Sequence, residues 1–156
     1  MIEMKKILFC FSFMILISTN AWANGRTFEI VYEGKKFNIS QQDLEKFKQT
    51  TYDTRTNFTA KEKITGPLLI EVRDRFFKNG KMAHVFCHDG YSYKISIDEA
   101  VHNGAILAIR RNGNLMSIKE LGPFAIVYDR DKMPKNISLP DLDAKTPWQI
   151  KRIVVK

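Results

Sequence analysis

The stretch VFCHDGYSYKISIDEA, Val85 to Ala100, sets a thiol, an imidazole and a carboxylate in consecutive positions, Cys87, His88 and Asp89. It reads either as a metal or nucleophile site or as two strands joined by a tight turn. Asp89-Gly90 between two extended runs is a hairpin signal. With MAHVFCH on a strand, Ala83, Val85 and Cys87 project to one side, and His84, Phe86 and His88 to the other. His84 and His88 then share a face but stand about 13 Å apart, at ~3.3 Å per residue. Two ligands of one zinc ion come within about 4 Å of each other, given bonds of about 2 Å. That pair cannot share a metal on a regular strand. Cys87 and His88 lie on opposite faces, and no residue on the face of Cys87 supplies the base that would activate a thiol. Cys87 is therefore expected to be a buried free cysteine beside Val85. No metal ligand and no catalytic residue is expected here. Asp89 and Tyr91, at the mouth of the turn, remain candidate binding residues.

Outward from this hairpin the chain punctuates itself clearly. TFEIVYEGKKFNI alternates about Glu33-Gly34, a second hairpin signal. Ser40 to Asp43 resembles a capping box and opens a short helix over QQDLEKFKQ. TTYDTRTNFTAKEKIT, rich in threonine and aromatics, favours extended chain around a charged loop. GPLLIEVRDRFFKNG reads as a helix, with Pro67 at its first position and Gly80 just past its end. Leu68, Leu69, Val72, Phe76 and Phe77 form its apolar face. AILAIRRNGNLMSI holds a third hairpin signal at Asn112-Gly113, PFAIVY is a strand, and WQIKRIVV closes the chain by alternation. KMPKNISLPDLDAKTP reads as a polar, proline-bearing loop. These elements define an α+β domain of mostly short antiparallel or mixed strands, with two or so helices packed on them.

Residues 1–23 read as a signal peptide: Lys5-Lys6, an apolar run from Ile7 to Ile17, then Ala21-Trp22-Ala23 as a cleavage site. The apolar run is shorter than the ~20 residues needed to span a bilayer. Cleavage after Ala23 is expected to leave a single domain over residues 24–156, not inserted in a membrane and located in a bacterial periplasm. Three Asn-x-Ser/Thr sequons, at Asn38, Asn57 and Asn136, carry no weight in that compartment. The full chain has a formal charge of +8; removing Lys5, Lys6 and Glu3 leaves +7. The cations are scattered and follow no nucleic-acid motif, so a nucleic-acid partner is not expected. Only Cys87 would remain after cleavage, so no internal disulfide is possible.

Read in order, TRTNF, a GPLL helix start, DGYSYKISIDEA, GAILAIRRNGNLM, LGPFAIVY and PWQIKRI resemble the sulfite-oxidase-type molybdopterin-binding domain, in its small stand-alone exported form. The resemblance runs from about Thr27 to Val155. It implies an α+β fold whose pocket is built by loops at strand ends. In catalytic members a cysteine ligates molybdenum about a dozen residues before the Gly-Pro-Leu helix start, in a segment often reading Cys-x-x-Gly-Trp. Here Thr54 stands where that cysteine would, and Phe58 where the tryptophan would. A threonine hydroxyl does not replace a soft thiolate. The leader has no Arg-Arg pair and resembles a general secretory signal, through which a chain passes unfolded and without a preloaded cofactor.

The resemblance thus implies a domain that keeps the cavity without its redox centre, and no cofactor is expected. By motif position the candidate wall is Thr54, Arg55, Asp89, Tyr91, Arg110, Arg111 and Lys151. Strand alternation sends Arg110 and Arg111 to opposite faces, so one of the two is expected to face the pocket. Arginine presents a planar fork suited to carboxylate or phosphate. Trp148, Tyr128 and Phe124 are read as core. The leading expectation is a periplasmic, non-catalytic binding module for a small anionic ligand or for a partner such as a membrane sensor's periplasmic domain. The alternatives are a molybdopterin-dependent oxidoreductase with an atypical ligand set and a structural subunit capping another periplasmic protein.

Overall fold

A computed structural model describes residues 27–156. The signal-peptide reading and the cleavage site at Ala23 lie outside the described residues. The chain forms eleven strands and four α-helices over this span.

The larger sheet is built from β1 (Thr27–Tyr32), β2 (Lys35–Ser40), β5 (Met82–Cys87), β6 (Ser92–Ser96) and β11 (Ile150–Val155), in the order β2-β1-β11-β5-β6. Its two hairpins are those read from sequence. Glu33 and Gly34 both take positive φ, at 49° and 75°, which is what a two-residue turn between twisted strands requires. β5 alternates as expected: Ala83, Val85 and Cys87 are buried, and His84 and Phe86 are only partly so. β11 runs parallel to β1, with Ile30 opposite Ile153, and antiparallel to β5, with Ile153 opposite Val85.

A second sheet joins β3 (Gln49–Thr54), β4 (Glu62–Pro67), β8 (Arg110–Arg111) and β9 (Asn114–Leu115). Between the sheets runs a two-stranded ladder of β7 (Ile106–Ala108) and β10 (Ala125–Val127). Every residue of this ladder is buried. Alternation divides it: Leu107 and Ile126 pack into the main core, while Ile106, Ala108, Ala125 and Val127 join Ile64, Met116 and Trp148 in a smaller one. Burial on both faces accounts for the unbroken apolar runs AILAI and FAIV. β4 lies so close to β7 that a Cβ on Gly66 would sit 2.1 Å from the Leu107 carbonyl oxygen.

Helix α1 (Gln41–Glu45) keeps the capping box: the Ser40 hydroxyl accepts from the Asp43 amide, and the Asp43 carboxylate accepts from Ser40 N at 3.1 Å. It ends earlier than its sequence suggests. From its first turn the buried Gln41 donates through Nε2 to the carbonyls of Met116 and Pro123, at 3.0 and 3.1 Å, which ties the helix to the second sheet.

Helix α2 (Leu69–Phe76) starts later than expected. Pro67 is the last residue of β4, paired with Gln49, and Leu68 is the extended N-cap. The cause is tertiary. Leu68 bridges Ile106, and Leu69 N donates to Ala105 O at 2.8 Å, so β7 holds this backbone out of the helix.

Two further helices, α3 (Ile97–His102) and α4 (Leu139–Ala144), stand where sequence suggested strand end and loop. Each has a serine cap, Ser96 or Ser138, accepting from the third residue on. Each has only six residues, too short to be stable alone, and each is held by a buried apolar contact to the core. No described helix is long and apolar enough to cross a membrane.

Ile153 is 2 % exposed and lies between Ile30 and Val85. Ile153→Ala is expected to cost about 3 kcal/mol in urea unfolding. Ile118→Ala, at a site 44 % exposed, is expected to change stability by less than about 0.5 kcal/mol.

Candidate functional site

Four connections meet at one end of the strands: the β3–β4 loop, the β5–β6 turn, the segment between β9 and β10 that carries Leu121, and the segment from the end of α4 into β11. They enclose a cleft of about 350 Å³, within the size range of small-molecule sites. Its wall includes Asn57, Phe58, Asp89, Tyr91, Asp143, Trp148 and Gln149.

Each side chain is held by local chemistry. In the β3–β4 loop Thr56 Oγ1 accepts from Phe58 N and Thr59 N, at 3.2 and 3.1 Å, and Thr56 N donates to Thr59 O at 3.1 Å. This turn fixes the backbone and leaves the Phe58 ring 60 % exposed. The ring stands edge-on to Trp148, with centroids 6.2 Å apart and planes at 86°. In the β5–β6 turn Asp89 Oδ1 accepts from Tyr91 N at 2.9 Å, while Gly90 takes φ +90°. Tyr91 stacks on Tyr93, and its hydroxyl donates to Ala144 O at 2.9 Å, closing the turn onto the end of α4. The backbone of Gln149 lies beside the same turn, accepting from His88 N at 2.9 Å. Trp148 is 5 % exposed, and its indole N–H has no acceptor among the described residues.

The electrostatics of the cleft run against the net charge of the chain. Two carboxylates, Asp89 and Asp143, line it, and no lysine or arginine does. Asp143 is paired with Arg130, whose side chain is almost fully buried behind it.

Of the seven candidate wall residues, the fold brings Asp89 and Tyr91 to the cleft. Thr54 is 1 % exposed at the end of β3, its hydroxyl accepting from Arg130 N at 3.0 Å. It thus acts one step removed, anchoring the backbone of the residue that pairs with Asp143. Arg55 is exposed, outside the cleft wall, and forms no ion pair among the described residues. Arg110 is paired with Glu45 and donates to Gly113 O at 2.8 Å. Arg111 grips Glu62 with two bonds of 2.9 and 3.2 Å and donates to Glu120 O. The two arginines do take different partners, as alternation demands, but neither lines the cleft. Lys151 is exposed on β11 at the register shift between Ile150 and Arg152.

Sequence reasoning missed Asn57, Phe58, Asp143, Trp148 and Gln149 as wall residues. For Phe58 a signal existed: one aromatic stands in the otherwise polar run TRTNFTAKEK, with only the small Ala60 as an apolar neighbour. Trp148 is core, as read, and wall at once.

The residues present do not fit molybdopterin. The Thr54 hydroxyl is buried and already bonded. The Cys87 thiol lies in the main core, 1 % exposed, and is pushed up to about 12, first by burial and then by the Asp89 charge, with Lys151 opposing. No group of three or more His, Cys, Asp or Glu side chains among the described residues could hold a metal ion. The Asp89 carboxylate in the wall, unpaired among the described residues, also opposes an anionic cofactor phosphate.

No family model matches the chain, and no curated protein matches it. Among solved structures, the crystal structure of the sulfane dehydrogenase SoxCD from Paracoccus pantotrophus superimposes with a TM-score of 0.54 at 16 % identity. The match covers 83 % of this chain and 38 % of that one. This likeness shows the fold alone: an α+β domain that shares the architecture of part of that dehydrogenase.

The raised thiol gives a testable pH dependence. Cys87 stays protonated in the fold while the unfolded chain ionises it near its ordinary 9.0. Its contribution to stability is complete below pH 9 and is lost as pH rises from 9 towards about 12. Cys87→Ala is expected to flatten the fall in stability across that window relative to the parent chain, measured by urea unfolding at a series of pH values. A thiol reagent at pH 8 is expected to label the denatured chain but not the folded one.

Proposed function

We propose that this chain is a non-catalytic binding module of the bacterial periplasm, exported by a general secretory signal. It uses the cleft at the strand ends to hold a small ligand or a group offered by a partner protein. One observation carries the reading: an open, pre-arranged aromatic cleft adjoins a segment whose metal-ligand position is filled by a buried, hydrogen-bonded threonine. Recognition in such a cleft needs no proton transfer and no thiolate. Phe58 and Trp148 offer apolar faces at low entropic cost, because the Thr56 turn and the smaller core already hold them. Asn57, Gln149 and Asp89 supply polar atoms to orient what enters. The likeness to a sulfane dehydrogenase supports a shared fold and leaves chemistry to the site.

The competing reading is an oxidoreductase that binds molybdopterin through an atypical ligand set, and elemental analysis separates the two. Protein purified from the periplasm of its native host is expected to carry neither molybdenum nor a fluorescent pterin. Near-stoichiometric molybdenum would overturn the non-catalytic reading.

A further inference from the structure

The lining of the cleft is more specific than its volume. The full chain carries +8, yet this wall holds Asp89 and Asp143 and no lysine or arginine. It also gathers Phe58, Tyr91 and Trp148, two of which are among the exposed large hydrophobics of the fold: Phe58 at 60 % and Tyr91 at 40 %. Exposed aromatics held rigidly beside carboxylates are the surroundings that attract a cation, through ring quadrupole and charge together. An anion would meet the Asp89 carboxylate with no cation in the wall to offset it, whereas the Asp143 charge is offset from behind by Arg130.

The carboxylates also narrow the kind of cation. Asp89 already accepts from Tyr91 N, and Asp143 is already paired with Arg130. Arg130 offsets the charge of Asp143, so Asp89 supplies the field, and neither carboxylate keeps its full hydrogen-bond capacity free. A strongly hydrated ammonium or metal ion needs several acceptors to replace its water, whereas a quaternary ammonium needs none and loses little hydration on entering an aromatic wall. We infer that the cleft takes a small organic cation of the quaternary ammonium type, seated against Phe58 and Trp148 and held in the field of Asp89. This deepens the binding-module reading and rests on it.

The test is calorimetric titration of the mature chain with choline and with its uncharged isostere 3,3-dimethylbutanol, backed by phosphate and a short dicarboxylate as anionic probes. Choline is expected to bind and the neutral isostere to bind at least several-fold more weakly. Phe58→Ala, at an exposed loop position, is expected to weaken choline by about three- to thirtyfold, the range of one cation–π contact. Asp89→Asn keeps an oxygen for the Tyr91 amide and is expected to erase most of the preference for choline over the isostere. Equal binding of choline and isostere, or binding of an anionic probe that Phe58→Ala abolishes, would refute the cation while leaving the cleft a ligand site. Failure of every probe to bind the folded chain would remove the cation and count against the binding-module reading as well.

Discussion

The last strand of the chain is the middle strand of the larger sheet. β11 is hydrogen-bonded to β1 on one side and β5 on the other, and among the described residues the two halves of the sheet meet only through it. The β1–β2 hairpin and the β5–β6 hairpin are local structures, but neither completes its pairing until the final residues arrive. Ile150, Ile153 and Val155 enter the main core from this strand, so sheet pairing and apolar burial are a single event. The functional geometry depends on the same constraint. Gln149 and Trp148 precede β11 directly, and pairing of β11 with β5 sets them beside the Asp89 turn.

A second constraint is the buried β7–β10 ladder, which serves two cores at once. Period-two alternation is usually read as inside against outside. Here both sides are inside, so the polar residues that would mark an outer face are missing from the sequence. Beside this layer the buried Gln41 amide satisfies the Met116 and Pro123 carbonyls. The close approach of β4 to β7 at Gly66 brings Leu68 into its bridge with Ile106, which keeps Leu68 extended and starts α2 at Leu69, two residues after the proline.

Charge shows most clearly where sequence reasoning reached its limit. Motif position put Arg110 and Arg111 on the expected anion wall, where a guanidinium fork would suit a carboxylate or phosphate. In the fold their partners are Glu45 and Glu62, 65 and 49 positions away. Asp143, from a segment read as loop, instead joins Asp89 in the cleft, and its own countercharge Arg130 is buried behind it. With Asp143 cancelled by Arg130, Asp89 is the charge left unpaired in the wall among the described residues, and its sign is opposite to that of the chain. Neither sign could be assigned from composition, because composition counts charges and a site depends on which of them remain uncancelled.

The hairpins at Glu33-Gly34, Asp89-Gly90 and Asn112-Gly113, the Ser40 cap, the buried alternation around Cys87 and the α+β class were all determined by the sequence alone. Each rests on interactions among residues a few positions apart, or on one strand's own period. The order of the strands, the parallel pairing of β1 with β11, the helices α3 and α4, and the identity of the cleft wall were decided only by tertiary structure. Those features depend on contacts between segments distant along the chain, where loop closure and shared burial select the partner. No local pattern of residues encodes that choice.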